Sequence, residues 1–256
     1  MGIIKTIQAD KLKVNIYDTR KALGEEAAKE FTARVKQLLQ TKSEINIVFA
    51  AAPSQNEFIH VLANNKEIEW GRINACHMDE YIGLDPEAPQ GFGNFLRDRL
   101  FEKQQFKSVN YLKGDVSNID EECKRYAGLL KQFPTDIVCM GIGENGHIAF
   151  NDPHVAFFDD PELVKVVELD EKCRRQQVND GCFKSLENVP THALTLTIPA
   201  LAAADCIFCM VPGSTKAQAV FDTVTGDISE KCPASILKIH NNATLYTDMD
   251  SAAKII

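Results

Sequence analysis

No stretch of this chain approaches the roughly 20 consecutive apolar residues that a membrane-spanning helix needs, although 45% of its 256 residues are hydrophobic. Basic runs are missing too. Lys+Arg 28 against Asp+Glu 36 leaves a formal charge of −8, a poor footing for nucleic acid. No Pro/Gly/Ser-rich linker, internal repeat or low-complexity segment interrupts the chain, so one domain over residues 1–256 is expected. The opening Met1-Gly2-Ile3-Ile4-Lys5 has no signal-peptide core. Gly2 and Thr6 fit a myristoylation pattern formally, but the segment Ile3–Ile7 reads as an edge strand. A disulfide framework is also lacking: Cys76, Cys139, Cys206 and Cys209 sit inside apolar runs, as reduced thiols do. The one CxxC, Cys206 to Cys209, lies in a strand, where residues three apart face opposite sides, and no second ligand pair exists. These absences predict a cytoplasmic protein with no metal, no cofactor, no membrane and no nucleic-acid partner. A homo-oligomer is compatible with the composition.

What is present is alternation. Apolar runs of strand length, Ile45–Ala50, Arg72–Met78, Asp136–Gly141 and Asp205–Val211, alternate with helical periodicities over Thr19–Gln40, Gln55–Asn64, Gly91–Phe101, Ile119–Gln132 and Ala217–Val224. The order implies a mainly parallel sheet covered on both faces, a Rossmann-like three-layer α/β/α sandwich. Leu163–Leu169 reads as a strand or hairpin arm, Ala234–His240 as a helix, and Arg174–Phe183 is too polar to assign.

The polar residues at strand ends carry the chemistry. After Asp136–Met140 comes Gly141-Ile-Gly-Glu-Asn-Gly-His-Ile-Ala-Phe-Asn-Asp-Pro153. Its glycines let the backbone turn sharply and approach a ligand, and the turn presents Asn145, His147 and Asp152. The carboxyl ends of strands are where open α/β sheets place their sites. A second stretch, His77-Met-Asp-Glu-Tyr-Ile-Gly-Leu84, also begins as a strand and ends in carboxylates beside an aromatic. Asp79 there suits a general base whose pKa burial brings toward the working pH. The blander reading of these stretches is a glycine turn with a capping Asn and a surface His, and a loop capped by Asp79 and Glu80.

Together, in this order and separation, the two motifs resemble the glucosamine-6-phosphate deaminase/isomerase family, whose superfamily includes 6-phosphogluconolactonases. The resemblance implies that Asp79 moves a carbon-bound proton between C2 and C1 of a hexosamine phosphate. His147 would open the sugar ring, oriented by Asp152. Asp152 stands where the family usually has Glu and is shorter by a methylene. Asn145, which is Asp in some members, can only orient by hydrogen bonding. Lys216, after Gly213-Ser-Thr, matches the family's phosphate lysine. Ala51-Ala52-Pro53-Ser54-Gln55 replaces a Gly/Thr-rich phosphate loop, leaving Ala52, Ser54 and Gln55 with the backbone N–H groups of a helix start to hold phosphate. The family's phosphate arginine is expected near Val178–Phe183, where Gly181 and Cys182 stand instead. Arg174 or Arg175 is the substitute available a few residues earlier, unless that basic pair is only solvated.

Three functions are compatible with these residues: an enzyme turning a hexosamine 6-phosphate, gluco or galacto, into the ketose 6-phosphate with release of ammonia; a lactonase-type hydrolase in which His147 activates water; and a non-catalytic sugar-phosphate sensor. The His-Met-Asp-Glu-Tyr stretch favours the first, because neither a lactonase nor a sensor needs a proton-transfer Asp.

Overall fold

A computed structural model describes residues 2–256. In chain order its strands and helices are β1 (Ile3–Ala9), β2 (Leu12–Tyr17), α1 (Arg20–Leu39), β3 (Ile45–Phe49), α2 (Asn56–Ala63), β4 (Ile73–His77), β5 (Asp79–Tyr81), α3 (Phe92–Leu96), β6 (Ser108–Asn110), α4 (Ile119–Gln132), β7 (Ile137–Met140), β8 (Val164–Glu168), α5 (Glu171–Asn179), β9 (His192–Leu196), α6 (Ile198–Ala202), β10 (Cys206–Val211), α7 (Ala217–Thr225) and β11 (Ala243–Asp248). An eight-stranded sheet runs β1-β2-β11-β10-β7-β3-β4-β6. Every neighbouring pair in it is parallel except β1 with β2.

The apolar runs become central strands because both faces are covered. Successive side chains alternate between two cores. Ile47 and Phe49 of β3, Cys139 of β7 and Phe208 and Met210 of β10 pack with α1, α2 and α3. Val48, Val138, Met140, Ile207 and Cys209 pack with α4, α6 and α7 on the other face. Helix starts follow the side chains that can cap them: Thr19 accepts from Ala22 N, and Asn118 from Glu121 N.

Four elements differ from the sequence reading. The strand expected over Arg72–Met78 ends at His77, where the chain leaves the parallel sheet. The next strand, β5, joins β9 and β8 in a separate antiparallel sheet. Gly91–Phe101 is a short α-helix followed by a π-helical turn over Arg97–Phe101. The unassigned polar segment holds α5, capped by Asp170, whose side chain accepts from Cys173 N at 2.6 Å. The segment Pro233–Ile239 is 3₁₀ rather than α. None of the described helices is long and apolar enough to cross a membrane.

The β4–β5 junction is fixed by His77, which is fully buried. The Tyr126 hydroxyl accepts from His77 N and donates to His77 O. The ring's Nδ1 lies 2.9 Å from Asp79 O, and its Nε2 accepts from Leu112 N at 3.0 Å. This sets a neutral imidazole with its proton on Nδ1. Burial holds the His77 pKa down at about 4 from an ordinary 6.5. Because the folded value lies below the unfolded one, the unfolded chain takes up the proton first as pH falls. Stability is therefore intact above 6.5 and lost as pH drops toward about 4, by about 3 kcal/mol over that window. Denaturant unfolding across this range should show a shallower loss in His77→Gln, which keeps an acceptor for Leu112 and does not titrate.

Candidate active site

The strand order reverses between β3 and β7: the chain runs outward through β3, β4 and β6, then returns to β7 and continues through β10 and β11. The carboxyl ends of parallel strands part at such a point and open a crevice. Here it has a volume of about 610 Å³. Ala52 and Ser54 reach it from the end of β3, Asp79 from just past β4, His147 from the turn after β7, and Lys216 from the turn after β10.

The turn after β7 is built around its imidazole. A Cβ on Gly143 would stand 2.2 Å from ring atoms of His147, so only glycine leaves room for the ring. Gly146 has φ 85, a left-handed conformation favouring glycine. Ala149, on the crevice wall, has φ 49, the kind of local strain that functional sites retain. Asn145 and Asp152 stand behind His147 rather than on the crevice wall. Asn145 accepts from His147 N at 3.1 Å and donates to Asp152 Oδ1 at 2.8 Å and Asp170 Oδ2 at 3.0 Å. Asp152 is wholly buried and also accepts from Asp170 N at 3.1 Å. His147 Nδ1 lies 3.0 Å from Asp152 Oδ1, at ion-pair distance but off the line of a hydrogen bond. Unliganded sites often hold such pairs loosely. Burial works to raise the Asp152 carboxyl, yet His147, Asn145 and the Asp170 amide outweigh it and hold the pKa below the ordinary value.

Asp79 is 6% exposed. Burial, then the neighbouring Glu80 charge, lifts its carboxyl well above the usual carboxylate range. Glu80 itself turns away and caps α3, accepting from Phe92 N at 3.1 Å and Gly93 N at 2.8 Å. Lys216 is 5% exposed and makes no ion pair among the described residues. Burial pushes its ammonium pKa down, against the more distant pull of Asp180 and Glu144. Ahead of it Gly213 takes φ 96, and its N–H is held by Asp248.

Gln55 does not line the crevice. Its amide nitrogen lies 3.0 Å from Ser54 Oγ, 3.2 Å from Met140 O and 3.3 Å from Met210 O, tying the loop after β3 to the ends of β7 and β10. Neither Arg174 nor Arg175 reaches it either. Arg174 donates to Leu186 O and Val189 O, closing the loop after α5, and Arg175 pairs with Glu171 one helical turn away. Helix formation over Glu171–Asn179 turns both guanidinium groups away from the crevice. In their place the walls carry residues the sequence did not single out: Arg20, Arg99 and the buried amide Gln177. No local pattern marks these, because they come from elements whose motifs are elsewhere. His147, Asp152 and Cys173 offer donor atoms within 4.8 Å of one another and are the buried set with the spacing to hold a cation.

A buried acid, a carboxylate-backed imidazole and a buried cation at the switch point of a parallel sheet define an α/β enzyme for a small anionic substrate. Comparison with known proteins agrees with this build. The sequence model of the family described as glucosamine-6-phosphate isomerases/6-phosphogluconolactonase matches residues 18–246. A glucosamine-6-phosphate deaminase of Bacillus cereus (strain G9842) is 34% identical over 227 residues, covering 89% of this chain and 84% of that protein. A solved monomeric glucosamine-6-phosphate deaminase of the NagB superfamily superimposes with a TM-score of 0.82 at 29% identity, over 94% of this chain and 98% of that one. The 6-phosphogluconolactonase of Thermotoga maritima, TM-score 0.76 at 17% identity over 93% of this chain and 100% of that one, shares the fold. The chain belongs to the glucosamine-6-phosphate isomerase/6-phosphogluconolactonase family, and it is an enzyme.

The Gly143–His147 contact yields a direct expectation. Gly143→Ala must displace the imidazole, and a displacement on the order of 1 Å costs roughly 10²-fold in rate. Circular dichroism should stay native while turnover falls by about that factor.

Proposed function

We propose that this enzyme converts a hexosamine 6-phosphate, glucosamine 6-phosphate in the first place, to the ketose 6-phosphate and ammonia. The observation that carries the reading is the pairing in one crevice of two chemically distinct proton-transfer groups, Asp79 and His147 backed by Asp152, with an unpaired buried lysine. The curated deaminase relatives support the substrate class.

The cyclic sugar presents no carbonyl. His147 moves a proton from the anomeric hydroxyl to the ring oxygen, breaking the C1–O5 bond, and Asp152 stabilises the imidazolium formed in passing. Asp79 then takes the proton from C2 and returns it to C1 through an enolamine, leaving an imine at C2. Water adds to the imine, and ammonia leaves to give the ketone. Lys216, Ser54 and the N–H groups of Ser214 and Thr215 at the start of the α7 segment hold the phosphate. A buried, unpaired ammonium gains most from an arriving dianion, because its desolvation has already been met in the free protein.

Asp79 must be ionised to act as a base, and its carboxyl sits well above the usual range. The kcat/KM profile should therefore fall as pH drops through a value above ordinary carboxylates, and this limb should vanish in Asp79→Asn. That variant keeps the shape of the side chain but cannot accept the proton, so kcat should fall by at least about two decades with substrate binding retained. Ammonia release measured across a panel of hexosamine 6-phosphates tests the reading as a whole. Release with none of them, together with hydrolysis of a sugar lactone phosphate, would favour the lactonase alternative.

A further inference from the structure

The proposed phosphate carries about −1.5 to −2 charges at neutral pH, and Lys216 is the single buried cation facing it. The residues first expected to add a second positive charge, Arg174 and Arg175, are engaged elsewhere. Two other arginines line the crevice. Arg20 is already committed: it pairs with Glu57 at 2.7 Å and donates to Pro53 O at 2.9 Å. Arg99 has neither a carboxylate partner nor a hydrogen bond among the described residues. The acid beside it, Asp98, is paired with Arg97. The guanidinium carbon of Arg99 rests 4.0 Å above the ring of Phe95, itself a wall residue. Stacking of this kind fixes the plane of the group and leaves its N–H edges free to donate.

Its position is set by the π-helical turn over Arg97–Phe101, a distortion that recurs at functional sites because it re-aims the side chains it carries. Arg99 thereby sits on the ridge between the crevice and a neighbouring groove of about 690 Å³ that it also lines. The turn after α5 lines the same crevice. Asp180 and Cys182 of that turn and Arg99 all line the crevice, and the Arg99 charge opposes the burial and the Asp180 charge that raise the Cys182 thiol. Asp180 in the same turn acts on Lys216. The free arginine and the buried lysine thus line one and the same crevice.

We propose that Arg99 is a phosphate-clasping residue of this enzyme: its guanidinium leaves the ridge and closes over the anionic end of the substrate opposite Lys216. This rests on the function proposed above. A bidentate guanidinium contact to phosphate is directional as well as charged, so lysine is an incomplete substitute. Hydrogen bonds to charged groups contribute enough that losing them weakens binding by about 10- to 100-fold.

The test uses the full-length protein and two readouts: KM and kcat for glucosamine 6-phosphate, and competitive inhibition by inorganic phosphate. Arg99→Ala should raise KM and the phosphate inhibition constant in parallel by about 10- to 100-fold, with kcat nearly unchanged. Arg99→Lys should recover only part of the loss. Arg20→Ala should leave the phosphate constant within about two-fold. If Lys216→Ala weakens phosphate binding while Arg99→Ala does not, or if Arg20→Ala produces the effect instead, the clasp is refuted and the phosphate reading stands. If neither Lys216→Ala nor Arg99→Ala alters phosphate inhibition, the phosphate reading itself falls.

Discussion

Lys216 and Asp79 are both taken out of water, and among the described residues neither is in contact with an opposite charge. That is costly in any protein interior, and here each group answers by shifting toward its neutral form. The rest of the site is organised around this imbalance. The two cores that sandwich the sheet bury strands on both faces and supply the rigidity that keeps the unpaired groups in place. At the carboxyl edge of the same sheet the loops part at the switch point and open the crevice. In the proposed reaction the phosphate meets the Lys216 charge and the C2 proton passes to Asp79.

Positioning in this site works through backbone as much as through side chains. His77 is not on the crevice wall, yet its ring holds the Asp79 carbonyl and the Leu112 amide, and so fixes where β4 ends and Asp79 begins. Gln55 joins the loop after β3 to two strand ends through one amide. Asn145 commits its whole amide to His147, Asp152 and Asp170, leaving the imidazole one orientation against Gly143. Asp152 lies 3.0 Å from the ring through Oδ1 and accepts from the Asp170 amide through Oδ2.

Much of this was legible in the residues. Near-continuous apolar runs located the central strands, since burial on both faces leaves no polar alternation, and helical periodicities located α1, α2, α4 and α7. The glycine-rich stretch pointed to the turn that presents His147, because glycine is needed where a ring packs against backbone. What could not be read were features set by contacts distant in sequence. The excursion of β5 into a second sheet depends on β9, more than a hundred residues away. Arg174 and Arg175 look like free cations in sequence, and only the formation of α5 shows them turned to Leu186, Val189 and Glu171. Arg99 lies in an amphipathic segment without any motif and becomes conspicuous once its neighbours are seen to be paired with others.

The central claim is that Asp79 and His147 perform two separate steps at one site. The measurement that tests it most directly compares Asp79→Asn and His147→Gln on a hexosamine 6-phosphate analogue lacking both the 4- and 5-hydroxyls, which can close neither a furanose nor a pyranose ring. On this account the His147 variant regains a substantial part of wild-type turnover, since ring opening is no longer required, and the Asp79 variant stays inactive. Recovery of both variants, or of neither, would contradict the division of labour.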